Sequence, residues 1–206
     1  MFHSAKLYKI VVTEWHLSYF SHSHIQLVMS FILAFAGSNS STSINFELVK
    51  FTCSLIPTEE IRLMNMHNCP FPMYSMDYEK EHGYSNSLNE LKRDIQFAKG
   101  IIISVNEHNG YPSAYFKNLM DWLSRLDRDF IRDKKVMLMA TSPGRRGAIG
   151  ALEVSASMLK RFGADIVDTF SLPLFKEYFD VERGILNTEL ANSHQLLVQD
   201  FLKVID

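Results

Sequence analysis

From residue 31 onward, apolar positions follow two alternating patterns. Short continuous runs at Ile32–Ala36, Ile101–Val105, Val136–Thr141 and Ile166–Ser171 alternate with stretches in which apolar residues recur every three or four positions. Continuous aliphatic runs bounded by turn residues mark strands buried on both faces. The recurring sets are Ile44, Leu48, Phe51 and Leu55, then Leu88, Leu91, Ile95 and Ala98, then Leu152, Ala156 and Leu159, and finally Leu190, Leu197, Phe201 and Val204. Each set predicts a helix, and another is read from Ala114 to Leu126. Gly100 and Gly163 are read as the ends of the second and third sets. Glu60–Met66 reads as a further strand. Asn68–Gly83, with two prolines, two tyrosines and mixed charge, reads as a loop.

Strands that alternate with helices require a parallel sheet with right-handed crossovers. The expectation is an α/β three-layer sandwich with a five-stranded parallel sheet in the order 2-1-3-4-5. In such sheets a ligand sits beyond the carboxyl ends of the strands, at the switch point. The unusual loops follow strands one, three and four, which are adjacent in this order. They therefore converge on one crevice. No internal repeat or low-complexity tract appears.

The first of these loops is the most telling. The run Phe31–Ala36 stops at Gly37, and five of the next six residues (Ser38, Ser40, Ser41, Thr42, Ser43) carry hydroxyls before a helical period begins at Ile44. A strand, a hydroxyl-rich turn and a helix N-terminus gather unpaired N–H groups and the positive end of a helix dipole at one point. That arrangement suits a phosphate dianion. There is no Gly-Lys-Ser/Thr for a nucleoside triphosphate, and no Gly-x-Gly-x-x-Gly for a dinucleotide at this loop. A terminal monophosphate, as in FMN, fits better. Ser38, Ser40, Ser43 and Asn45 are the side-chain donors and Ile44 lies in the first turn, with the competing reading that one or two of them only cap the helix.

Composition narrows the class. The chain has 206 residues, 47% of them hydrophobic, with 21 basic against 23 acidic side chains. That suits one globular unit and implies no general attraction to nucleic acid or to a membrane surface. Cys53 and Cys69 match no zinc or Cys-x-x-Cys spacing and are expected as reduced thiols in a cytoplasmic protein. No metal site is expected, and His22-Ser-His24 is too sparse to make one. Residues 1–28 hold His3, His16, His22 and His24, half of the 8 histidines, and show no clear period. They read as an N-terminal extension or the product of an upstream start, with 29–206 as the functional domain. Lys6, Lys9, Ile25–Ala36 and Ala34-Phe35-Ala36 imitate a cleaved leader, but cleavage there would delete the first strand.

The second loop is the most specific segment. Asn106-Glu-His-Asn-Gly110, followed by Lys117-Asn118-Leu-Met-Asp121-Trp122, closely resembles the flavin-binding loop and following helix of the NADPH-dependent FMN reductase family. That family usually reads Pro-Glu-Tyr-Asn-Gly and then Lys-Asn-x-x-Asp-Trp. Gly37-Ser38, Ser43 and Asn45 match its phosphate loop, and Thr141-Ser-Pro-Gly-Arg-Arg-Gly147 resembles its third loop. The resemblance covers about residues 31–175. Ser40 stands where the family often has Arg, Asn106 replaces its Pro, and His108 replaces its Tyr. Arg145 or Arg146 is the candidate to replace the missing cation.

The resemblance implies a flavodoxin-like fold, an FMN cofactor, NADPH or NADH as cosubstrate, and a homodimer or homotetramer. The implied cofactor contacts are Ser38, Ser40, Ser43, Ile44 and Asn45 in the first loop. In the second they are Asn106, Glu107, His108, Asn109 and Gly110, and in the third Ser142, Pro143, Gly144, Arg145 and Gly147. No catalytic side chain is expected, because hydride transfer runs through flavin N5. The expected activity is NAD(P)H oxidation with electrons passed to a quinone, flavin, azo or similar acceptor; the rival is a non-enzymatic electron carrier or flavin-binding protein. Taken alone, Glu107 reads as a carboxylate approaching a helix and Asn109-Gly110 as a plain turn. Lys117 with Asp121 reads as a surface pair, and Phe116 and Trp122 as core or subunit contacts. The broad apolar surface of the helix from Ala114 to Leu126 also suggests a second subunit.

Overall fold

A computed structural model describes residues 11–12 and 30–206. The elements in chain order are β1 (Val11–Val12), β2 (Phe31–Ala36), α1 (Ile44–Ser54), β3 (Glu60–Met64), α2 (Met76–His82), α3 (Asn86–Phe97), β4 (Gly100–Val105), β5 (Glu107–His108), β6 (Tyr111–Pro112), α4 (Ala114–Leu126), β7 (Lys135–Thr141), α5 (Ile149–Arg161), β8 (Asp165–Leu172), α6 (Phe175–Tyr178), β9 (Phe179–Asp180), β10 (Gly184–Ile185) and α7 (Thr188–Ile205). The main sheet runs β1-β3-β2-β4-β7-β8, and its pairings are all parallel. Five of these strands stand in the expected order. The two-residue β1 adds an edge pairing to them: Val11 pairs with Arg62 and Val12 with Leu63 at the outer edge of β3. Otherwise the expectation for residues 1–28, like that for His22 and His24, lies outside the described residues.

Side-chain alternation divides the core. Phe31, Leu33 and Phe35 of β2 join Ile101 and Ile103 of β4 on the face covered by α3, α4 and α5. Ile32, Ala34 and Ala36 join Ile102 on the face covered by α1 and α7. Both β2 and β4 are buried along their whole length, which is why they read as unbroken apolar runs.

Three local expectations change. β3 ends at Met64, because the Asn65 side chain accepts the His67 N–H and turns residues 66–68 into a short 3-10 helix. The expected loop at 68–83 contains α2, capped by Ser75 and carrying no buried residue, so it has no apolar period to read. Gly100 does not end α3, which stops at Phe97; it opens β4. A Cβ there would lie 2.6 Å from the Phe201 ring, so the small residue admits α7 onto the sheet.

The apolar breadth of α4 has a cause within the chain. Trp122 Nε1 donates to Pro72 O (2.8 Å), and the Trp122 ring meets Tyr74, Tyr78 and Tyr84 edge-on. Residues 71–84 thus cover the face of α4 turned away from the sheet. Covered from within the chain, that face does not call for the second subunit expected from it.

Candidate functional site

A cleft of about 600 Å³ opens beyond the carboxyl ends of β2, β4 and β7. Its floor is Asn45, which is 2% exposed. Asn45 Oδ1 accepts from Ser104 Oγ (2.7 Å) and Thr141 N (3.0 Å), and its Nδ2 donates to Thr141 O (3.1 Å). One amide therefore fastens the start of α1 to the ends of β4 and β7. This is a larger structural duty than the phosphate contact expected of it.

The hydroxyl loop folds on itself above that floor. Gly37 N donates to Ser104 O (2.8 Å), continuing the β2–β4 pairing. Ser38 Oγ accepts from Ser40 N, and Ser40 Oγ accepts from Thr42 N, each at 3.3 Å. Ser43 caps α1, its Oγ accepting from Phe46 N (3.2 Å), as the capping alternative foresaw for at least one serine. A hydroxyl that accepts a backbone N–H keeps its own proton to donate. The first N–H groups of α1, including those of Ile44 and Asn45, have no acceptor one turn back. The result is a cradle of neutral donors at the positive end of a helix dipole.

The second loop is a hairpin. Asn109 and Gly110 have φ of 54° and 82°, the paired positive values of a type I′ turn, which joins β5 to β6. Asn106, Glu107 and His108 line the cleft; Asn109 and Gly110 do not. Glu107 Oε2 accepts from Ala151 N (3.0 Å) at the start of α5, so its carboxylate is a helix-terminal acceptor, as its residue type suggested. His108 Nε2 lies 3.2 Å from Asn106 Nδ2.

In the third loop, Ser142 and Pro143 line the cleft, whereas Gly144, Arg145 and Gly147 do not. Gly144 O accepts from Leu174 N (3.1 Å), and Gly147 O accepts from Ser171 Oγ (2.8 Å). These two residues fix the loop to the end of β8. Arg145 and Arg146 are exposed beside the cleft. Among the described residues, neither Arg nor Lys lines its wall.

Sequence reasoning missed part of the wall. Phe71, Met73, Ser113, Tyr115 and Asn118 also line it. Ser113 Oγ donates to Gly37 O (3.0 Å) and caps α4. Asn118 Oδ1 accepts from Tyr74 N (2.7 Å), and its Nδ2 donates to Pro72 O (2.9 Å), which holds Phe71 and Met73 over the cleft. The signal was present in Asn118 and Trp122 of the Lys-Asn-x-x-Asp-Trp stretch, whose side chains bind this segment. Tyr115 OH donates to Cys69 O (2.8 Å), and burial pushes its pKa up. Lys117 and Asp121 form the expected surface pair, at 2.6 Å.

Comparison with known proteins fits this geometry. A family model described as NADPH-dependent FMN reductase matches residues 31–176. The quinone reductase of Escherichia coli (strain K12) is 33% identical over 73 residues, 35% of this chain and 39% of that protein. The chain thus matches about two fifths of that relative's length. The NADH-dependent flavin reductase subunit 2 of Lactobacillus johnsonii is 29% identical over 133 residues, 62% of this chain and 68% of that protein. Among solved structures, the flavoenzyme NAD(P)H:(acceptor) oxidoreductase FerB of Paracoccus denitrificans superposes with a TM-score of 0.69 at 23% identity, covering 85% of this chain and 97% of that one. An oxidised flavodoxin of Bacillus cereus gives 0.52 at 15% identity, covering 84% and 97%. These structural likenesses establish a flavodoxin-like fold.

Proposed function

Since the chain belongs to the NADPH-dependent FMN reductase family, we propose that it is an FMN-dependent NAD(P)H oxidoreductase serving a small-molecule acceptor, such as a quinone, an azo compound, free flavin or a metal oxyanion. The observation that carries this reading is the pairing of two unlike parts in one cleft. One end is the hydroxyl cradle at the α1 N-terminus. The other is a wall that includes Phe71, Met73, His108 and Tyr115.

The residues present fit FMN. Ser38, Ser40, Ser43 and the first N–H groups of α1 would receive the monophosphate, and the aromatic and thioether wall would receive the ring. When bound, the flavin supplies the two-electron chemistry between nicotinamide and acceptor. The chain orients it and shields it from water. Asn45 fixes the cradle relative to β4 and β7, while Asn118 holds Phe71 and Met73 in place. Arg145 and Arg146 are exposed just after the cleft-lining Ser142 and Pro143, and we assign them to the nucleotide phosphates of NADPH or NADH.

Operation in the cytoplasm is part of the proposal, as is a homodimer or homotetramer, for which the family resemblance is now the support. The electron-carrier reading is disfavoured by the near balance of 21 basic and 23 acidic residues, since carriers that dock by charge need a strong excess of one sign. The test is a visible spectrum of the FMN-loaded protein without air, before and after NADPH or NADH. Bleaching supports a reductase. Bleaching by chemical reductants alone supports the carrier.

A further inference from the structure

Among the described residues, three cleft-lining side chains belong to residue types that titrate as acids or bases: Glu107, His108 and Tyr115. Two are already occupied. Glu107 Oε2 accepts the Ala151 N–H, and Tyr115 OH donates to Cys69 O while burial holds its proton on. His108 differs. It is exposed on the cleft wall, and its one hydrogen-bond contact among the described residues joins Nε2 to the Asn106 amide, leaving Nδ1 without a protein partner. Imidazole is also the side chain that exchanges protons with water near neutral pH.

Asn106 suits a ring that changes charge. Its amide presents Nδ2 to a ring whose Nε2 accepts; turned over, it presents Oδ1 to a ring whose Nε2 donates. Asn106 Oδ1 is buried without a hydrogen-bond partner among the described residues, so no competing bond ties the amide to one orientation. With Oδ1 turned to Nε2–H, the same side chain holds both the imidazolium ring and the neutral ring left when Nδ1 gives up its proton, with Nδ1 directed away from it across the ring.

From this arrangement we infer that His108, oriented by Asn106, is the acid that protonates a quinone-type acceptor in the cleft. The inference rests on the reductase reading above. Reducing a quinone to its hydroquinone takes two electrons and two protons. A reduced nicotinamide supplies both electrons and one proton as a hydride equivalent, relayed through the cofactor. The second proton comes from imidazolium Nδ1–H: that N–H bond breaks, an O–H bond forms on the quinone oxygen, and the ring is left neutral. Water then restores the proton. An acceptor that takes electrons without protons, such as ferricyanide, needs nothing from His108.

The experiment follows reoxidation of FMN-loaded protein by stopped flow, after reduction with dithionite so that the step does not depend on NAD(P)H. Benzoquinone and ferricyanide are compared in the original protein, His108→Gln and Asn106→Ala. The quinone-to-ferricyanide rate ratio is expected to fall on the order of 100-fold in His108→Gln. A smaller fall, about tenfold, is expected in Asn106→Ala, where the ring remains but loses its orientation. Added imidazole should raise the ratio in His108→Ala. Nitrogen NMR of the flavin-free protein supplies a readout apart from turnover: the neutral ring should carry its proton on Nε2, the form that loss of the Nδ1 proton leaves, and Asn106→Ala should abolish that preference. An unchanged ratio, or equal losses with both acceptors, overturns the inference. If NAD(P)H fails to reduce the flavin while the ratio still falls as expected, the reductase reading fails and the role of His108 stands.

Discussion

Glu107 Oε2 accepts the backbone N–H of Ala151 at 3.0 Å, which ties the β5–β6 hairpin to the first turn of α5. α5 has no side-chain cap of its own, because Ala148 stands at its N-cap in a left-handed conformation. The carboxylate thus supplies the acceptor that a Ser or Asp cap supplies elsewhere, with a favourable charge at the positive helix end. Glu107→Ala should cost about 2 kcal/mol, within the range for a hydrogen bond to a charged group, and Glu107→Gln roughly half of that. Urea unfolding of the two variants checks the order.

Asn45 and Ser40 should separate stability from binding. Asn45→Ala leaves the buried Thr141 N–H and Ser104 hydroxyl without their acceptor, at about 1–3 kcal/mol for each unsatisfied group. Ser40 is exposed, and its local bonds are long, so Ser40→Ala should leave the unfolding midpoint nearly unchanged. Its expected loss is in FMN affinity, roughly tenfold for one donor to a phosphate oxygen. Calorimetry with FMN, beside denaturation of each variant, distinguishes the two effects.

His194 makes stability depend on pH between about 4 and 6.5. It is buried under α1, and burial lowers its pKa from 6.5 to about 4. Thr52 Oγ1 donates to Leu48 O (2.9 Å) and therefore accepts from His194 Nε2 (2.9 Å), while burial keeps the folded ring neutral above about pH 4. The unfolded ring takes its proton first as pH falls. Stability is therefore fully present above 6.5, declines as pH drops toward 4, and changes no further from this group below that. The expected decline is on the order of 3 kcal/mol. His194→Gln should flatten this part of the profile, as read from urea midpoints across the range.

The segment over α4 has its own acid limit. Tyr84, Arg125 and Tyr74 all donate to the Glu79 carboxylate and lower its pKa from 4.5 to about 2. A depressed carboxylate stabilises above its unfolded pKa, and that contribution is lost as pH falls from 4.5 through about 2. Glu79→Gln should speed amide exchange at Tyr74 and along α2 while sparing α1 and α7. Exchange mapped by mass spectrometry checks that pattern.

Much of this was legible in the chain. The buried strands announced themselves because both faces of β2 and β4 meet apolar layers, and the Ser-rich turn after β2 marked the cradle. What failed to show did so for physical reasons. α2 buries nothing, so it has no period. Gly100 looked like a helix stop because the Phe201 ring that requires it is distant in sequence. Phe71 and Met73 are held over the cleft by bonds from Asn118 and Trp122 to Pro72, which a local reading cannot place. Asn45 resembled a ligand donor because its partners Ser104 and Thr141 lie on other strands. The loop departs from the usual Pro-Glu-Tyr pattern at Asn106 and His108, and these two residues pair with each other.

In the function proposed above, this cleft holds FMN, and the flavin takes hydride from a reduced nicotinamide. The most direct measurement is anaerobic stopped-flow absorbance of the FMN-loaded protein mixed with NADPH and, separately, NADH. At least one should bleach the flavin band, and an added quinone should restore it. A flavin band that persists with both nucleotides but vanishes with dithionite would contradict the account.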